Sequence, residues 1–133
     1  MGRLSRGPHP AAHRPARPGC PQLRVISGDA HATFACDLRQ DAGNEDSPVV
    51  AAEVCGTSIT SQGRPASQIE TLLRENPDIH YADAGRRGYT VLDITPGETQ
   101  VVARVIDDAT VRTTGVSTAR TFTIERDRPG IQL

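Results

Sequence analysis

The chain has 133 residues, 36% of them hydrophobic, with 15 Lys+Arg against 16 Asp+Glu and a net charge of −1. That length is one domain's worth of chain. The charge balance excludes a strongly basic nucleic-acid binder, and no apolar run approaches the ~18 residues of a membrane span, so neither nucleic acid nor membrane is an expected partner.

Two Phe, two Tyr and no Trp leave little aromatic volume for a core. A chain of this length that folds alone buries roughly two-thirds of its surface. The composition therefore predicts part of a folding unit. Every basic residue is Arg, which reads as coding bias and not as chemistry. Three Cys (Cys20, Cys36, Cys55) with no Cys-x-x-Cys spacing are neither a disulfide framework nor a zinc site.

Residues 1–22 hold five of the ten prolines, four Arg and no acidic residue. Proline at that density removes donors and blocks helix, so the stretch reads as a disordered arm. A basic tail for an anionic partner and a mis-assigned start are both open, and the second is favoured. The arm carries Arg but no apolar run, so no secretory signal is visible in it.

Order is expected from Leu23. Leu23–Ser27 reads as a short strand closed by Gly28-Asp29. His31 to Leu38 fits helix or strand spacing equally. Gln40 to Pro48 is a polar loop, Val49 to Val54 a buried strand, and Gly56 to Ser61 a strand end turning into a loop. Ser67-Gln68-Ile69-Glu70 has the capping-box pattern, and Ile69, Leu72 and Leu73 then share a helical face. Asn76-Pro77 ends that helix, because proline biases the residue before it away from the helical region. Ile79 to Ala82 reads as a strand. Gly88 to Thr95 and Glu98 to Ile106 read as a hairpin across Pro96-Gly97, a pair suited to a type II turn with Gly97 at positive φ. Ala119 to Glu125 is the last strand, with Phe122 and Ile124 inward. No internal repeat is evident.

Three groups of residues could carry chemistry. Asp29 and His31, two apart just past a strand, project to one side if the backbone stays extended. Carboxylate suits hard cations and imidazole suits transition metals. From these four residues alone, Gly28 to His31, a turn with a solvated His is the commoner reading. The hydroxyls and amides of Gly56 to Ser61 could hold an anion or orient a ligand residue, but a polar strand end is favoured. Arg86-Arg87 could grip phosphate bidentately, but a solvated turn entering the hairpin is favoured. His80 reads as a packed or half-exposed strand residue. Cys36 and Cys55 read as small buried hydrophobes without a base to activate them.

Taken in order, seven pieces resemble the C-terminal portion of the PhoD-like alkaline phosphatases, a family of calcineurin-like metallophosphatases. They are Val25–His31, Asp46–Val50, Gly56–Ser61, Glu75–Pro77, Arg86–Tyr89, Val116–Ala119 and Arg128–Gly130. No piece is decisive alone, but their order over residues 23 to 130 makes chance a poor explanation. The stretch before Leu23 matches nothing in the family.

The resemblance implies an α/β fold, the C-terminal half of a four-layer αββα sandwich, β-rich with one clear helix. It implies hydrolysis of phosphate mono- or diesters at a site of Ca²⁺ and Fe³⁺, with Asp29 facing calcium and His31 facing iron. Asp29 supplies the oxygen a hard cation wants. The two metals would activate water and stabilise charge on the phosphoryl oxygens.

Ala30 stands where the family's motif has Val, and Phe34 where it often has Trp. The family's other ligands lie in a longer N-terminal stretch without counterpart here, and Cys20 is not one of them. Two ligands cannot hold two metals, since calcium alone takes six to eight oxygens. Three states follow: a partial phosphatase inactive alone, a non-catalytic truncated remnant or small β-rich module, or a half completed by a separate N-terminal chain. A half-sandwich should also show unpaired sheet edges and an exposed apolar face. Family members are typically exported by the twin-arginine route. Arg86-Arg87 is internal and is not such a signal.

Overall fold

A computed structural model describes residues 23–133, and the Pro/Arg-rich stretch 1–22 lies outside the described residues. The first strand, β1 (Leu23–Ser27), runs parallel to β3 (Val49–Cys55), pairing Leu23 with Ala51 and Ser27 with Cys55. Between them in sequence, β2 (Thr33–Arg39) pairs antiparallel with β3 on one side and with β4 (Ile79–Asp83) on the other. The four form one sheet in the order β1-β3-β2-β4. A second sheet is a plain meander of β5 (Arg87–Ile94), β6 (Glu98–Ile106) and β7 (Val116–Glu125).

Strand alternation explains how the sheets stack. Ala35, Ala52 and Val54 on the first sheet meet Val101, Phe122 and Ile124 on the second in one buried cluster, closed by Ile131. Tyr81 on β4 packs against Phe122 with ring centroids 5.4 Å apart and planes tilted by 58°. Such a pair contributes about 0.5–1.5 kcal/mol beyond the area it buries. With small residues filling the first sheet's inner face, Phe122 and Ile124 supply most of the bulk between the layers.

The opposite face of the first sheet carries Phe34 and Ala82, which alternate with Ala35 and Tyr81. The single helix among the described residues, α1 (Ala66–Glu75), lies there, burying Ile69 beside Ala32 and Ala84 with Leu72, Phe34 and Ala82 around it. Helix, sheet and sheet are three consecutive layers of the αββα plan. No helix of the described residues is long and apolar enough to cross a membrane.

Several expectations hold. Residues 40–48 form the connection from β2 to β3, and the helix stops at Asn76, which is extended at φ −133° before Pro77. Of the stretch from His31 to Leu38, the part from Thr33 onward resolves to strand, while His31 and Ala32 belong to the connection before it. That part defeats periodicity because β2 is covered on both faces, by the second sheet and by the helix side.

Two local readings are corrected. The helix starts at Ala66 behind Pro65, and no side chain caps it. The Pro65 carbonyl accepts from the Gln68 and Ile69 amides, so Ser67 is already inside the first turn. Thr71 Oγ1 donates to the Ser67 carbonyl at 3.0 Å. The turn at Pro96-Gly97 is not type II, because Gly97 is not at positive φ. It is closed instead by Thr95, whose N–H donates to the Glu98 carbonyl at 2.9 Å and whose Oγ1 accepts from the Glu98 amide at 3.1 Å.

Candidate functional site

The parallel pair β1 and β3 ends on the same side, where the Gly56 amide donates to the Ser27 carbonyl at 3.1 Å. The end of β4 and the starts of β2 and β5 come to that side too. Three connections therefore gather beyond the carboxyl ends of parallel strands: residues 28–32, 56–65 and 84–86. That is where open sheets carrying parallel strands place their ligands.

Asp29 and His31 lie in the first connection. Both take the left-handed conformation, at φ 67° and 53°. The expectation of an extended backbone projecting both side chains to one side is thus overturned. Asp and His tolerate this region better than most residues, yet two such positions in three cost of order 1–3 kcal/mol each unless the surroundings hold them. Asp29 is exposed and His31 half-buried.

His31 is held at its ring. Nδ1 lies 3.0 Å from the Gln62 carbonyl. A carbonyl only accepts, so Nδ1 carries the proton, and in the neutral ring Nε2 is left as the unprotonated nitrogen. A histidine ligand is commonly prepared in this way, with its other ring N–H bound to a backbone carbonyl. The start of the loop is also tethered, the Cys55 thiol lying 3.7 Å from the Gly28 carbonyl.

The second connection is used internally. Ser58 Oγ donates to the Ser61 carbonyl at 2.6 Å and Thr57 Oγ1 to the Arg86 carbonyl at 3.3 Å. The two arginines of the third connection part company. Arg86, exposed, pairs with Asp83 at 2.6 Å, which raises its pKa further. Arg87, read from sequence as part of a solvated turn, is half-buried. Its Nη1 donates to the His31 carbonyl at 3.1 Å, to Ser58 Oγ at 2.8 Å and to the Ser61 carbonyl at 2.6 Å, and its Nη2 donates to the Ala84 carbonyl. The Arg86-Arg87 pair does not foretell this, because the partners of Arg87 lie up to 56 residues away in the chain.

The remaining candidates are structural. His80 Nε2 contacts Asp37 Oδ2 at 2.8 Å. Cys55 is buried and Cys36 half-buried, and both are free. Burial, with Glu53 adding to it, pushes the Cys36 thiol up to about 12.

The donor chemistry of Asp29 and His31, one hard oxygen and one imidazole with its tautomer set, fits two members of a metal-ligand set. It is not a complete set: among the described residues no group of three or more His, Cys, Asp and Glu is placed to hold a metal ion.

Residues 16–103 match the PhoD-like phosphatase family, so the match begins before Leu23, in the stretch expected to match nothing, and the chain belongs to that family. It is similar to alkaline phosphatase D of Bacillus subtilis (strain 168), with 33% identity over 111 residues, 81% of this chain and 19% of that protein. It also superposes on a solved structure of PhoD with a TM-score of 0.73 at 33% identity, covering 82% of this chain and 21% of that one. The chain thus spans about a fifth of the length of either relative.

Proposed function

We propose that residues 23–133 are the C-terminal part of a PhoD-like phosphatase domain and supply part of a site for hydrolysing phosphate mono- or diesters. Family membership supports the reaction class. The observation that carries the residue assignment is the Nδ1 contact of His31 with the Gln62 carbonyl, which leaves Nε2 to bind.

In this reading Asp29 offers carboxylate oxygen to a hard cation, calcium, and His31 offers Nε2 to iron. Bound metals would supply charge stabilisation at the phosphoryl oxygens and a water of lowered pKa. The left-handed backbone sets where the two side chains leave the loop, and the hydrogen bond at Nδ1 keeps Nε2 free of a proton. The other ligands come from outside residues 23–133, on the same or a separate chain. The described residues alone do not turn over substrate.

A second reading, a non-catalytic remnant or small β-rich module, is favoured by one observation, the two-member ligand set. One experiment separates the two. The 133-residue chain is assayed on p-nitrophenyl phosphate with Ca²⁺ and Fe³⁺, alone and with the remainder of a PhoD-like phosphatase domain. The first reading expects negligible turnover alone and recovery on combination. No recovery under conditions where the two pieces co-purify favours the second. Turnover alone within ~100-fold of the ~10 s⁻¹ median for enzymes, lost in His31→Ala, contradicts both.

A further inference from the structure

Arg87 touches every connection at the candidate site. Its Nη1 reaches the His31 carbonyl, Ser58 Oγ and the Ser61 carbonyl, and its Nη2 reaches the Ala84 carbonyl. All four acceptors are uncharged, and among the described residues Arg87 has no carboxylate partner within ion-pair distance. Hydrogen bonds from a charged donor are roughly twice as strong as neutral ones. The planar guanidinium can serve several fixed acceptors at once, which an ammonium on a flexible stem cannot reproduce.

The consequence falls on His31. Gln62, whose carbonyl holds the ring, lies between Ser61, held by Arg87, and Gly63, which is pressed so close to the Ala84 carbonyl and Arg87 Nη2 that no side chain fits there. His31 is therefore fixed twice through one residue: at its main-chain oxygen by Arg87 directly, and at Nδ1 by a carbonyl that Arg87 places.

We propose that Arg87 is a positioning residue which ties the three connections together and so sets the ring tautomer of His31, presenting an unprotonated Nε2. Its functional meaning rests on His31 being a metal ligand, as proposed above, while the positioning itself does not. Free neutral histidine in water favours the proton on Nε2. The Nδ1–H form at His31 is thus a state that the fold imposes, and removing its support should release it.

The test is nitrogen spectroscopy of the imidazole rings in the ¹⁵N-labelled 133-residue chain at alkaline pH. His31→Ala assigns the His31 signals. The parent should show a protonated Nδ1 and an unprotonated Nε2 at His31. In Arg87→Lys and in Gly63→Ala, which leaves Arg87 in place but crowds it, His31 should move towards the Nε2–H form, with His80 unchanged beside Asp37. Three results would overturn the proposal. The first is a parent His31 without the Nδ1 proton. The second is a His31 that keeps the proton in both variants. The third is loss of the His80 signature along with that of His31 in both, which marks a role in the fold at large.

A second arm adds Co²⁺ alone and follows broadening of the His31 signals. Arg87→Lys should need about 10-fold more Co²⁺ for the same effect, the lower end of what loss of a ligand's supporting bonds costs. Broadening at His31 no greater than at His80 in the parent would remove His31 as a ligand, with the tautomer result still deciding the role of Arg87.

Discussion

The main-chain N–H of Ile131 donates to Asp37 Oδ1 at 2.7 Å, joining two residues 94 positions apart. The other oxygen of the same carboxylate meets His80 Nε2 at 2.8 Å. Gly130, at φ 93°, lies against the carboxylate where a Cβ would collide with it. One side chain on β2 thereby fastens the chain's end over the second sheet. There Gln132 and Thr123 exchange main-chain hydrogen bonds at 2.7 and 2.9 Å, and Ile131 closes the core cluster.

Asp37→Ala should therefore lower stability by about 1.5–3 kcal/mol, the usual range for hydrogen bonds to a charged group. Gly130→Ala should also destabilise, since alanine resists the positive φ and its methyl meets Asp37. Urea denaturation of both variants against the parent checks this. An Asp37→Ala midpoint equal to the parent's would show that the carboxylate does not hold the chain's end.

The Cys36 thiol should be inert at neutral pH. Burial raises its pKa from 9.0 to about 12, with Glu53 the next cause, so almost none of it is the reactive thiolate. The folded state then holds the proton more tightly than the unfolded one. The stability this gives is fully present below pH 9 and is lost as pH rises towards 12. Tyr81, raised by burial and by Asp83, acts in the same direction. Alkylation at pH 7.5 should leave Cys36 unmodified until the chain is unfolded. Cys36→Ala should flatten the alkaline fall in melting temperature. Rapid alkylation of the native chain would contradict the burial.

The described residues leave apolar surface bare. Leu23 and Ile26 on the edge strand β1 are each 63% exposed and Ile94 is 60% exposed. Beside α1 an open groove of about 360 Å³ is lined by Leu72, Ile79, Phe34, Cys36 and Cys55. The purified chain should bind a hydrophobic dye and self-associate. A monodisperse monomer with a cooperative thermal transition and no dye binding would count against an incomplete sandwich.

How far the fold was legible depended on how each segment is covered. β7 alternated clearly, because its inward Phe122 and Ile124 face the core while Thr121 and Glu125 are exposed. β2, covered on both faces, gave no usable period. The helix was legible from Ile69 and Leu72 and from its stop at Pro77, but its start was not. Pro65 opens the first turn with its fixed φ and its carbonyl, while the Ser67 to Glu70 pattern imitated a cap.

At the candidate site the residue types were legible and their geometry was not. Gly28 to His31 announced a carboxylate and an imidazole. The left-handed backbone has no signature in these residue types, and the Gln62 contact comes from a loop 31 residues downstream. Arg87 was hidden for the same reason: its partners come from three connections, and nothing in Arg86-Arg87 tells which guanidinium turns inward.

In the function proposed above, Asp29 and His31 each fill one coordination position on a different metal of a site completed from outside residues 23–133. The most direct measurement is metal analysis of the chain combined with the remainder of a PhoD-like phosphatase domain, for the parent, Asp29→Asn and His31→Ala. Asp29→Asn keeps the shape but removes the charge, so calcium should fall more than iron. His31→Ala should lower iron more than calcium, because imidazole is the softer ligand. Each change should cost most of the phosphatase rate, since the two metals act together on the phosphoryl group. Full occupancy of both metals and normal turnover in both variants would contradict the account and reduce Gly28 to His31 to a turn.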